Sequence, residues 1–86
     1  MDTPVRSFAV RRGSDLGASV AEARRARGLT QSELAEQLGM NRAYLAAMEG
    51  GRANRLIEHL LRALRRLGAD VTVSWPVLDS RDDADG

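Results

Sequence analysis

The 86-residue chain contains no cysteine and no lysine. Without cysteine there is no disulfide, no thiolate nucleophile and no cysteine-based metal site. A single histidine, His59, excludes a histidine-cluster metal centre. Aromatic residues are scarce: Phe8, Tyr44 and Trp75 are the full set. No apolar run approaches the ~20 residues that a membrane-spanning helix needs. Residues 1–13 lack the apolar core of a signal peptide, so a cytoplasmic chain is expected. No Ser/His/Asp set, phosphate-cradling loop or carboxylate pair stands out. The expectation is a protein that is not an enzyme, with no cofactor and no metal.

What is present is arginine, alanine and leucine. Thirteen arginines oppose twelve carboxylates, for a net charge of +1. That balance hides an asymmetry. Residues 79–86 hold four aspartates and one arginine, a net −3, which leaves +4 on residues 1–78. A length of 86 residues allows one small domain and no second core. Residues 77–86 are expected to be an acidic, disordered tail.

Residues 1–13 show no clear period. Residues 7–10 fit a short strand, and the whole stretch fits a flexible basic arm equally well; the domain boundaries are drawn with 1–13 as the arm and 14–76 as the folded domain. Ser14 and Asp15 are N-cap types, and Leu16, Val20, Ala23 and Arg27 then recur at helical spacing. Gly28 follows as a C-terminal glycine, so a first helix is predicted over about 16–27. Thr30-Gln31-Ser32-Glu33 is a capping box that opens a second helix, with Leu34, Ala35 and Leu38 as its apolar stripe and Gly39 at its end. Asn41 caps a third helix over 42–49, whose inner side is Leu45 and Met48. Gly50-Gly51 stops it. Asn54 caps a fourth, with Ile57, Leu60, Leu61, Leu64 and Leu67 on a broad apolar face and Gly68 at its close.

Val71, Val73 and Trp75 then alternate with Thr72 and Ser74, the period of a half-buried strand, and Pro76 ends it. A lone strand needs a partner for its amides and carbonyls. The partner is either the 7–10 stretch or a second copy of the strand. The second choice makes a homodimer with Val71, Val73 and Trp75 in its interface, and it is the one carried into the fold assignment.

The informative unit is 31–48. Two helices of about two turns each are not stable separately and must pack on each other and on their neighbours. Ala35 is small where they cross, and Gly39 stands where the chain must reverse at positive φ. These are the features of a helix-turn-helix. The stretch Ala21-Glu-Ala-Arg-Arg-Ala-Arg-Gly-Leu-Thr-Gln-Ser-Glu-Leu-Ala-Glu-Gln-Leu-Gly-Met40, continued by Asn41-Arg-Ala-Tyr-Leu-Ala-Ala-Met-Glu-Gly-Gly-Arg52, resembles the phage-repressor/Cro-type (XRE) family over residues 16–68. The resemblance implies an all-α, lambda-repressor-like domain of four helices, completed by the short C-terminal strand paired across a homodimer. The ending Leu60-Leu-Arg-Ala-Leu-Arg-Arg-Leu-Gly-Ala-Asp-Val-Thr-Val73 is similar to small HipB-type antitoxins, which repress their own operon and bind a HipA-like kinase toxin.

The resemblance implies that the third helix enters the major groove, N-terminal end first. With Leu45 and Met48 inward, Ala43, Ala46 and Ala47 face outward at 100° per residue. Arg42 sits at the helix start, where a guanidinium reaches a guanine edge or a phosphate. Base readout is assigned to Asn41, Arg42, Ala43 and Ala47. Three alanines offer only apolar contact, so much of the selectivity is expected from half-site spacing and DNA shape. Phosphate contact is assigned to Gln31 and Arg52, which match family positions with that role, and to Tyr44, Asn54 and Arg55 from their placement at helix starts and rims. Arg24 and Glu49 match the family's partly buried ion pair. The implied partner is a palindromic double-stranded operator in the bacterial nucleoid, with no membrane involved. Two alternatives stand beside the antitoxin-repressor reading: a free-standing regulator without a toxin, and a protein-interaction module that does not bind DNA.

Overall fold

The computed structural model describes residues 4–52 and 54–77. They run in the order β1 (Val5–Val10), α1 (Gly13–Ala26), α2 (Gln31–Leu38), α3 (Arg42–Glu49), α4 (Arg55–Arg66) and β2 (Val71–Pro76). Capping chemistry sets most of these boundaries. Thr30 Oγ1 accepts from the Glu33 amide at 3.0 Å while the Glu33 carboxylate accepts from the Thr30 amide at 2.8 Å, a reciprocal pair that opens α2. Asn41 Oδ1 accepts from the Ala43 amide at the start of α3, and Asn54 Oδ1 from the Ile57 amide at the start of α4. Gly39 ends α2 at φ 66°, a left-handed conformation that a Cβ makes costly.

Helix α1 begins earlier than residue 16. Its N-cap is Arg12, and Asp15 acts from inside the first turn: Oδ2 accepts from the backbone amides of Arg11 and Arg12 at 2.9 and 3.0 Å. An aspartate that reads as a cap type is here a residue reaching back to satisfy donors ahead of the helix.

The chain is not all-α, and residues 5–10 are not a flexible arm. β1 and β2 form an antiparallel two-stranded sheet, with Val5 opposite Pro76, Phe8 opposite Val73 and Val10 opposite Val71. The partner that β2 requires comes from the same chain rather than from a second copy. The ladder extends past the strands through the Val77 amide, which donates to the Pro4 carbonyl at 2.8 Å. One face of this sheet lies against the body of the molecule. On it Val10 and Trp75 are buried, Phe8, Val71 and Val73 are half-buried, and the Phe8 and Trp75 ring centroids are 6.5 Å apart. The face assigned to a subunit interface therefore holds a side chain, Trp75, that is only 8% exposed within one chain. Nearly all of the proposed acidic tail, from residue 78 onward, lies outside the described residues, as do residues 1–3 of the proposed arm.

The buried apolar residues of the helices are Leu45, which is wholly buried, Ala21, Ala35 and Leu61. Gly17 of α1 makes the closest approach: a Cβ there would lie 2.0 Å from the Met48 carbonyl oxygen of α3. α4 is held at both ends to the β1–α1 junction. The Glu58 carboxylate accepts from the Gly13 amide at 2.9 Å, and Arg65 Nη1 donates to the Arg11 carbonyl at 2.9 Å.

Candidate nucleic-acid interface

A chain of charged and amide groups runs from the inside of the molecule to the start of α3. Arg24 grips Glu49 with two nitrogens, Nε to Oε2 at 2.7 Å and Nη2 to Oε1 at 3.1 Å. Its remaining nitrogen, Nη1, donates to the Leu29 carbonyl at 2.7 Å in the link between α1 and α2. Glu49 Oε1 also accepts from Gln31 Nε2 at 3.0 Å. The other end of the Gln31 amide, Oε1, accepts from Arg42 Nη1 at 2.8 Å. A carboxylate only accepts and a guanidinium only donates, so the amide between them has one consistent orientation. The four side chains thus link α1, α2 and α3.

The Arg24–Glu49 pair is buried, with side-chain exposures of 9% and 4%. Hydrogen bonding to Arg24 is the main influence holding the Glu49 carboxyl below its ordinary range; burial opposes it, and the Gln31 amide adds to the lowering. The same contact raises Arg24, against the cost of its own burial. Bidentate, charge-assisted geometry of this kind is what makes a buried pair tolerable.

At the surface, Arg42 and Tyr44 flank the first turn of α3 on opposite sides. Arg42 stands on the α2 side beside Gln31, and Tyr44, 61% exposed, on the side of the start of α4. Between them Ala43 is exposed and Ala47 half-buried. Asn41 spends its Oδ1 on the helix cap. Ala43, Tyr44, Ala47, Arg52 and Asn54 border one depression of about 630 Å³ where α3 meets α1 and the start of α4. Arg52 and Arg55 are exposed beside it. The structure therefore gathers Asn41, Arg42, Ala43, Tyr44, Ala47, Arg52, Asn54 and Arg55 around α3 and the start of α4. Gln31 lies at the inner edge of this group: its Oε1 accepts from Arg42 and one of its two Nε2 N–H groups goes to Glu49, which leaves one N–H for a further acceptor.

A family model described as a helix-turn-helix domain matches residues 6–75. The chain belongs to the helix-turn-helix domain family. Comparison with curated proteins and comparison with solved structures return no match. The helix-turn-helix match starts in β1 and ends in β2, so the sheet is part of the matched unit and not an addition to it. The match suggests a DNA-binding regulator; α3 is the second helix of the pair, the one that DNA-binding helix-turn-helix domains use for recognition. No helix among the described residues is long and apolar enough to cross a membrane.

The contact between Gln31 and Arg42 was not readable from the sequence. Each residue opens its own helix, and only the crossing of α2 and α3 shows that the two helix starts lie side by side. The one available signal is that both are long polar side chains at the first position of consecutive short helices.

Proposed function

We propose that this helix-turn-helix protein is a dimeric transcriptional repressor of the XRE type that reads a palindromic operator, including the one controlling its own gene. The observation that carries the reading is the arginine at the start of α3, held by Gln31, next to a small apolar patch made by exposed Ala43 and half-buried Ala47. A preorganised guanidinium suits the paired acceptors of a guanine edge, and small methyl groups suit close approach to thymine. Tyr44, Arg52, Asn54 and Arg55 flank this patch as phosphate contacts that fix orientation. Gln31 acts in this reading by aiming Arg42, with the Arg24–Glu49 pair behind it.

The resemblance to HipB-type antitoxins extends the proposal to a HipA-like kinase toxin as a second partner; a free-standing regulator is the reading without it. Co-purification of the protein with the product of a neighbouring kinase-like gene separates the two.

The test of DNA binding is fluorescence anisotropy on the duplex upstream of the gene and on its scrambled version, at two salt concentrations. The native duplex is expected to bind more tightly. Arg42→Ala is expected to lose about 1–3 kcal/mol on the native duplex and little on the scrambled one. Gln31→Ala is expected to lose part of the same energy and to add little in the double variant, because the two residues act as a unit. Absence of binding to either duplex at low salt would overturn the reading and favour a protein-interaction module.

A further inference from the structure

Helix α4 uses only one side of its apolar surface. Ile57 and Leu61 face the rest of the chain, while Leu56 and Leu60 of α4 and its C-cap residue Leu67 remain 67, 52 and 80% exposed and Ala63 is exposed between them. The spacing of residues 56, 60, 63 and 67 is four, three, four. That is the alternation of a coiled-coil seam, and it lies on a different side of the helix from the packed residues. Exposed leucines scattered singly need no explanation, but a continuous row does.

We infer that this row is the surface on which a second copy of the chain docks, with the two α4 helices antiparallel. The inference rests on the dimer proposed above and gives it a location. Three features point to this occupant. A four-three-four spacing reads the same in both directions, so in an antiparallel pair Leu56 of each copy meets Leu67 of the other, and Leu60 meets the small Ala63. A two-fold interface needs such a self-complementary patch. The charges agree with the direction. The C-terminal half of α4 carries Arg62, Arg65 and Arg66, whereas in the N-terminal half Arg55 is balanced by the helix's one carboxylate, Glu58. A parallel pair would stack the arginine-rich ends and align the helix dipoles; an antiparallel pair separates the former and opposes the latter. Finally, α4 is already held by Glu58 and Arg65 to the β1–α1 junction, so it presents the row as a fixed face. Twelve residues make a helix about 18 Å long, so the contact is of the small, reversible class with dissociation in a measurable range.

The open edge of the β1–β2 sheet is the competing location, and one experiment distinguishes the two. Mass is measured by sedimentation equilibrium across a micromolar to millimolar series for the parent, for Leu60→Arg and for Thr72→Pro, with circular dichroism confirming that each is folded. The parent is expected to dimerise, Leu60→Arg to raise the dissociation constant by about 100-fold, and Thr72→Pro to leave it unchanged. A parent dimer that survives Leu60→Arg would overturn the α4 interface and leave the dimer reading standing. A parent that stays monomeric throughout the series would overturn both. Because the chain has no cysteine, a second readout is available: the variant Leu56→Cys/Leu67→Cys is expected to form an inter-chain disulfide on mild oxidation and Leu67→Cys alone is not. A parallel pair would reverse that last result, since Leu67→Cys alone would then cross-link.

Discussion

Glu49 receives three N–H donors, two from Arg24 on the first helix and one from Gln31 on the second. Its loss would strand a buried guanidinium, so Glu49→Ala is expected to cost about 3–5 kcal/mol of stability, read as a lower urea midpoint. The same residue sets part of the acid response. Its folded carboxyl titrates below the ordinary value of 4.5, chiefly through the hydrogen bonds from Arg24. A depressed carboxyl contributes stability that is full above the ordinary value and is lost as pH falls through the lowered one. Asp15 slopes in the same direction, because the Arg11 and Arg12 amides lower it too. The informative quantity is therefore the difference between parent and Glu49→Gln. That difference is expected to shrink as pH falls below about 4.5, and a constant gap down to acid unfolding would refute the assignment.

Helices α1 and α3 meet where neither has a side chain to spare. At Gly17 the Met48 carbonyl occupies the space a methyl group would take, so Gly17→Ala must push two helix backbones apart. A loss of about 1–3 kcal/mol is expected, with α3 displaced and DNA affinity falling alongside. A melting temperature equal to the parent's would show that the helices part freely. Much at this scale was legible beforehand. Thr30, Asn41 and Asn54 each cap the helix that their residue types announce, and Gly39 makes the turn. The start of α1 was misplaced because Asp15 works from within the first turn, a choice that depends on where the backbone of Arg11 and Arg12 points. The arm was misjudged for a related reason. Val5-Arg-Ser-Phe-Ala-Val10 is too short and mixed to show a strand period, and only the presence of β2 beside it makes pairing favourable. In the site, helical period placed Ala43 outward, where it is exposed, but Ala46 and Ala47, read the same way, are half-buried, and the link from Gln31 to Arg42 needed the third dimension.

For the molecule as a whole, the arginines around α3 and the start of α4 matter more than the net charge of +1. Arg52→Ala is expected to weaken binding equally on native and scrambled duplexes and to reduce the slope of log affinity against log salt by about 1. A slope that does not change would remove Arg52 from the phosphate contacts. In the proposed dimer the two α3 helices are expected to match half-sites about 34 Å apart, so inserting ~5 base pairs between them, half a turn, is expected to abolish tight binding. The sheet adds a consequence in time. Ser7 and Ser74 face each other across 67 positions of sequence, their hydroxyl oxygens 3.4 Å apart. β1 is made before its partner β2 and must wait for it, with α1 to α4 made in between. Trp75, the single tryptophan of the 86 residues, is buried by the pairing of β2 with β1, so its fluorescence reports closure of the sheet, and a nascent chain still lacking β2 has helices but no closed sheet beside them.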